Sequence, residues 1–257
     1  LLSKFAGGLG NDWTPVRAMG AHIKGTNGKS QGIVPFLNVA NATAVAVNQG
    51  GKRKGAVCAY LECWHRDVEE FLELRKNTGD ERRRTHDMNT ANWIPDLFMK
   101  RVENDEMWSL FSPDTAPGLA DVYGEKFEKL YVQYEKEGRA RRTLKARDLY
   151  TTIADTIVQT GIPYILFKDT CNEFSNHNHL GTIKCSNLCT EIIQYSSPTE
   201  VAVCNLASIA LPKFIKNKKF DHDLFAQVVR LCVRNINKII DVEFYPLPEC
   251  KKSNLLH

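Results

Sequence analysis

The chain has 257 residues, enough for one large domain or two small ones, and its 43% hydrophobic and 25% charged residues are an ordinary globular balance that permits a sizeable core. Its 34 Lys and Arg against 30 Asp and Glu leave a net charge of +4, too small and too dispersed to indicate nucleic-acid binding. No apolar run is long enough to span a bilayer. The opening LLSKFAGGLG also lacks the basic region and apolar core of a signal peptide.

The chain starts without Met and stops at SNLLH, so both ends read as cuts through a longer protein. Eight cysteines at 58, 63, 171, 185, 189, 204, 232 and 250 are too sparse and irregular for a secreted disulfide scaffold. They fit a reducing cytoplasm in which a few thiols are chemically active and the rest are small buried hydrophobes.

Residues 1–34 are rich in Gly and Asn, with GGLG at 7–10 and KGTNGKSQG at 24–32, a pattern of loops whose amides approach ligands closely. Pro35 opens a helical run that Gly50 and Gly51 stop. After the basic GKRKG, the run AVCAYLECW predicts a strand buried on both faces. Helices are expected over Asp67–Asn77, from Asn92 and Pro95 through Arg101, over Gly124–Gly138 and over Ala146–Gly161. Strand-like runs cover Pro163–Lys168, Asn187–Gln194 and Glu200–Ala210. A last long helix begins at the N-cap Asp221 and runs through Leu224, Phe225, Val228, Cys232 and Ile236. Strands alternating with helices predict an α/β fold with parallel pairing. Without repeats or a clear linker, residues 1–257 read as one domain, incomplete at both ends.

The segment CSNLCTEI, 185–192, carries the chemistry. If it is extended, Asn187, Cys189 and Glu191 share one face, about 6.6–6.8 Å apart along the strand. An amide, a carboxylate and a thiol would then line one edge of a pocket and could orient hydroxyls, take a proton and react. Two other readings stand beside this one. Spacing alone is compatible with ordinary loop residues near a buried Cys, and His177, His179, Cys185 and Cys189 contain donors that zinc accepts, although C-x3-C is looser than the usual knuckle. A catalytic segment and a nucleotide- or zinc-binding module without turnover are therefore both open, and metal analysis separates them.

SNLCTEI together with EVAVCNLAS at 200–208 resembles the active-site signature of ribonucleotide reductase large subunits. QGGKRKGA at 49–56, WIPDLFMKRV at 93–102, SPDTAPGL at 112–119 and GTIKCSNLCTEI at 181–192 extend the resemblance over essentially the whole chain, and it is to class I enzymes. The resemblance implies part of a ten-stranded α/β barrel with a central finger loop, Cys189 at the tip. It makes Cys189 the thiyl radical that abstracts hydrogen from the ribose 3′ carbon. Glu191 is the base on the 3′ hydroxyl, and Asn187 is the sugar ligand. Cys204 is one of two reducing cysteines, its partner lying upstream of residue 1.

The resemblance further implies two regulatory loops. In VRAMGAHIKGTNGKSQG, 16–32, Arg17 and Lys24 would meet phosphates of an ATP or deoxynucleoside triphosphate effector. Lys24 stands where relatives carry Arg, a point charge in place of a bidentate fork. In QGGKRKG, 49–55, Gln49 would read the effector side and Arg53 the substrate, with Gly7 and Gly8 approaching substrate through their backbone. No metal is held by this segment. The implied partners are ribonucleoside diphosphates, a small metal-containing radical-generating subunit, thioredoxin or glutaredoxin, and a second large subunit; neither membrane nor nucleic acid is implied.

Overall fold

The computed structural model describes residues 1–5, 7–49, 51 and 53–257, and at 48, 49 and 53 the backbone alone. These residues fall into two compact units, 1–195 and 196–257. No helix among them is long and apolar enough to cross a membrane.

The first unit opens with β1 (Leu9–Asp12), the two-residue hairpin strands β2 (His22–Ile23) and β3 (Gly28–Lys29), and α1 (Val34–Ala46). A second short hairpin, β4 (Asn48–Gln49) and β5 (Arg53–Lys54), leads to β6 (Val57–Glu62) and α2 (Val68–Leu72). Next come β7 (Asn89–Ile94), α3 (Asp96–Glu103), β8 (Met107–Leu110), α4 (Gly124–Lys136) and β9 (Arg142–Lys145). The unit continues through α5 (Ala146–Thr160), β10 (Tyr164–Phe167) and α6 (Lys168–Phe174). Strands β1, β6, β7 and β10 form one sheet in that order, every pair parallel. The expected α/β class with parallel pairing is thus observed. Among the described residues this sheet has four strands of the ten that the resemblance implies.

Alternation along β6 sets up two faces. All six of its residues are buried, as an apolar run in a doubly covered parallel sheet should be. Val57, Ala59 and Leu61 enter the large core beneath the helices, where Phe98, Trp108, Phe111, Phe127 and Tyr131 pack. Trp108 stacks on Tyr131 at 4.5 Å between centroids and meets Phe98 edge-on at 5.0 Å, geometries worth about 0.5–1.5 kcal/mol beyond buried area. Cys58 and Tyr60 point the other way, into a smaller cluster with Ala91, Trp93, Leu166 and Ile183. Cys185 and Leu188 of the signature segment pack against this second cluster.

Several expectations need correction. Asn92 starts no helix; it lies inside β7, where its amide donates to the Leu61 carbonyl at 3.5 Å, and α3 begins only after Pro95. The predicted helix Asp67–Asn77 is the five-residue α2 followed by turns. Residues 187–194 and 200–210 form no strands. In the first of these, Asn187 Oδ1 accepts from Ile192 N, a local bond that competes with a ladder.

The second unit holds the hairpin β11 (Ile215–Lys216) and β12 (Lys219–Phe220), then α7 (His222–Val242) and α8 (Pro248–Leu256). Asp221 caps α7 as predicted, its Oδ1 accepting from Leu224 N at 3.0 Å.

Candidate active site

Residues 181–195 follow α6 and cross the second face of the sheet. Asn172 of α6 anchors the entry: its Oδ1 accepts from Ile183 N at 2.6 Å and its Nδ2 donates to Ile183 O at 2.9 Å. Ser175 holds the exit by donating to Ile193 O at 2.9 Å. Between these anchors the chain closes on itself. Ser186 Oγ donates to Ile192 O at 2.6 Å, and Asn187 Oδ1 accepts from Ile192 N at 3.3 Å.

Leu188 and Cys189 form the turn of this loop, and Thr190 follows with φ of 73°. A β-branched residue at positive φ is strained and persists only where its surroundings impose it. The period-two alignment expected for Asn187, Cys189 and Glu191 therefore does not hold. The three residues remain together, but on a closed loop: Asn187 is half-buried at its base, Cys189 is exposed at its turn, and Glu191 is exposed just beyond.

The floor under the loop is polar in one place. Tyr60 of β6 donates its hydroxyl to Asn187 O at 2.6 Å. Burial, then the neighbouring Cys58, pushes the Tyr60 phenol upward, so it stays a protonated donor. Burial likewise lifts Cys58 to about 12, with Tyr60 opposing, and lifts Cys185 to about 12, with Asp12 adding to the effect. These two thiols stay protonated at neutral pH and do not act as thiolates. Among the described residues no three His, Cys, Asp or Glu side chains gather as a metal site, including the His177, His179, Cys185 and Cys189 of the zinc reading.

Beside the loop, the space a side chain at Gly8 would take is filled by Leu188. Arg17 and Lys24 lie on another element. Both are exposed; Arg17 Nη1 donates to His22 O at 3.2 Å, and Lys24 follows β2 directly. The base of that loop is pinned by buried Asp67, which accepts from Met19 N at 3.0 Å and Ile33 N at 3.1 Å. Gln49 and Arg53 face each other across the β4–β5 hairpin, and their side chains lie outside the described residues. Cys204 lies in the second unit, half-buried in an irregular stretch. Nearby, Val201 N donates to Glu249 O at 3.2 Å, and Asn205 Nδ2 donates to Glu243 Oε2 at 2.6 Å. Tyr60 and Gly10 were not singled out by the sequence. The only signal for Tyr60 was its place on the alternate face of an apolar strand.

Residues 1–257 match the family model described as the ribonucleotide reductase barrel domain. The chain belongs to the ribonucleotide reductase barrel-domain family. Over its whole length it is 58% identical to the ribonucleoside-diphosphate reductase subunit alpha of Chlamydia pneumoniae, of which it covers 25%. It is 56% identical to the ribonucleoside-diphosphate reductase large chain of Schizosaccharomyces pombe, covering 32% of it, and 53% identical to the large subunit of Arabidopsis thaliana, covering 34%. The chain thus spans between a quarter and about a third of these relatives. In this ribonucleotide reductase segment, the loop bearing Cys189 holds an exposed thiol, an exposed carboxylate and a half-buried amide, and the side chains of Ser186 and Asn187 close it on Ile192.

Proposed function

We propose that the chain is the central barrel segment of the catalytic subunit of a ribonucleoside-diphosphate reductase, acting in the cytoplasm and converting ribonucleotides to deoxyribonucleotides. The reading rests on one observation above all: Asn187, Cys189 and Glu191 sit on a single closed loop with the thiol outermost at its turn. A radical supplied by a separate metal-containing subunit would leave Cys189 as a thiyl.

The sulfur then takes the hydrogen atom from the ribose 3′ carbon, forming S–H, breaking C–H and leaving a carbon radical. Sulfur suits this exchange because its bond to hydrogen is weak enough for the transfer to be nearly balanced. Glu191 accepts the 3′ hydroxyl proton. The 2′ hydroxyl leaves as water, taking a proton from the reducing dithiol. Asn187 Oδ1 is used in closing the loop, so its amide N–H groups are the part that would hold a sugar hydroxyl. Cys204 and a cysteine outside the chain supply two electrons and become a disulfide: their second hydrogen goes to the 2′ carbon, the remaining electron passes to the 3′ carbonyl as Glu191 returns its proton to that oxygen, and thioredoxin or glutaredoxin reopens the disulfide by thiol exchange. Cys189 returns its hydrogen to the 3′ carbon. Gly8 would meet the substrate through its backbone. The complete subunit, assayed with its small subunit, a ribonucleoside diphosphate and a dithiol, should form deoxynucleotide; no product under any effector would end this reading.

Regulation belongs to the two other loops in a large-subunit homodimer. Arg17 and Lys24 would bind phosphates of ATP or deoxynucleoside triphosphate effectors. Gln49 and Arg53, paired across one short hairpin, would carry the effector's identity to the substrate. Arg53→Ala should mainly weaken that coupling. Typical coupling is about 1–3 kcal/mol, or roughly 5–150-fold, and substrate preference should flatten by a factor in that range. The check is a competition assay with all four substrates under each effector, and unchanged preferences would show that the hairpin does not communicate.

A further inference from the structure

Strand β1 presents two glycines to the Cys189 loop, Gly10 within the strand and Gly8 just before it. A Cβ built on Gly10 would collide with the Ser186 carbonyl oxygen and come within 2.9 Å of Asn187 Cα. Both are backbone atoms of the loop, so the loop itself would have to rise. A Cβ on Gly8 would lie 2.8 Å from Leu188 Cδ2, where only a flexible side chain need yield. Gly10 is paired in register with Cys58, and Asp12 with Tyr60, which puts Gly10 and Tyr60 on the same face of adjacent strands. From that face the Tyr60 hydroxyl reaches the next carbonyl oxygen along the loop, Asn187 O, at 2.6 Å. The Tyr60 ring is held edge-on against Trp93, 6.2 Å between centroids and 79° between planes. The loop base thus rests on bare backbone at one point and is tethered by a fixed hydroxyl at the other. Cys189 follows two residues later.

We propose that Gly10 and Tyr60 are positioning residues for hydrogen abstraction: the bare backbone of one and the hydroxyl of the other set the height of the 186–192 loop and so place the Cys189 sulfur against the substrate's 3′ carbon. This rests on the proposed reductase reading of the same site. Neither residue touches substrate. Their effect passes through Asn187, and misplacement of a reacting group by about 1 Å can cost on the order of 100-fold in rate.

The test uses the complete large subunit with its small subunit and cytidine diphosphate, unlabelled or deuterated at the 3′ carbon. Tyr60→Phe keeps the ring and removes only the tether. Its kcat should fall on the order of 10-fold, with KM and melting temperature near the parent values. Its deuterium isotope effect on kcat should rise, because a misplaced sulfur slows the step that breaks the C–H bond. Gly10→Ala should show the same split with a larger fall. A parent-like kcat in Tyr60→Phe overturns the proposal, and so does a lowered kcat with an unchanged isotope effect, which is what a purely structural role would give. Two controls keep the claims apart: a parent enzyme that forms no product ends the reductase reading, and a Cys189→Ser variant that retained turnover would remove Cys189 from hydrogen abstraction and this proposal with it. If that variant is inactive while Tyr60→Phe behaves like the parent, only the positioning role is lost.

Discussion

Cys189→Ser in the complete large subunit is expected to reduce deoxynucleotide formation to background while substrate and effector binding stay close to the parent. The hydroxyl O–H bond is far stronger than S–H, so the serine cannot exchange a hydrogen atom with the ribose at a useful rate. The change removes no packing: Cys189 is exposed at the turn, and the bonds that close its loop come from Ser186, Asn187 and Ile192. Substitution of a neighbouring thiol for it is not expected. Cys58 is fully buried in the sheet, and Cys185 packs down against the same cluster, its Sγ 4.0 Å from Gly10 O. Product formation from labelled diphosphate, together with equilibrium binding of substrate and effector, checks both halves of this expectation. Deoxynucleotide above trace would remove Cys189 from the chemistry, and lost binding would assign it a structural task.

The parts of the fold that were legible in the sequence are those fixed by local chemistry. Gly161 ends α5 at φ of 78°, Asp221 caps α7, and the apolar run of β6 is buried throughout. Strand β7 was missed because NTANWI is polar in composition, yet five of its six residues are buried; the burial of Asn92 depends on its bond to the Leu61 carbonyl, 31 positions away. The candidate site was legible as a set of residues and illegible as a shape. Asn187, Cys189 and Glu191 were grouped by type and spacing and given roles by the family resemblance, but a strand was expected, because alternation gives no sign that Ser186 and Asn187 will spend their side chains closing a loop. The seat of that loop, Gly10 and Tyr60, lies more than 120 residues from it in sequence, and only the parallel register of β1 with β6 brings both to one face.

Lys168→Met is expected to destabilise the protein by about 3–5 kcal/mol, because it leaves a buried carboxylate without its cation. Lys168 Nζ sits 2.9 Å from both carboxylate oxygens of Glu62, and the two side chains are 0% and 1% exposed. Trp64 Nε1 donates to the same carboxylate at 2.5 Å, and the ammonium lies 4.9 Å from the Phe127 ring centroid. Burial lifts the Glu62 carboxyl from its ordinary 4.5 to about 7, with Lys168 opposing. A carboxyl raised on folding holds its proton more tightly in the folded state. Its contribution is therefore full below 4.5 and lost as pH rises to about 7. Without Lys168 the opposing charge is gone and the carboxyl rises further. The variant should then lie nearest the parent at about pH 5, where Glu62 is neutral, and furthest below it at about pH 8. Glu62→Leu combined with Lys168→Met should recover much of the loss, short of about 1–3 kcal/mol for the Trp64 indole left without an acceptor. Urea denaturation of the three variants at both pH values decides the matter. A Lys168→Met penalty that is the same at both would mean that Glu62 carries no charge in the parent, and the pair would then be a neutral hydrogen bond in place of the ion pair its geometry describes.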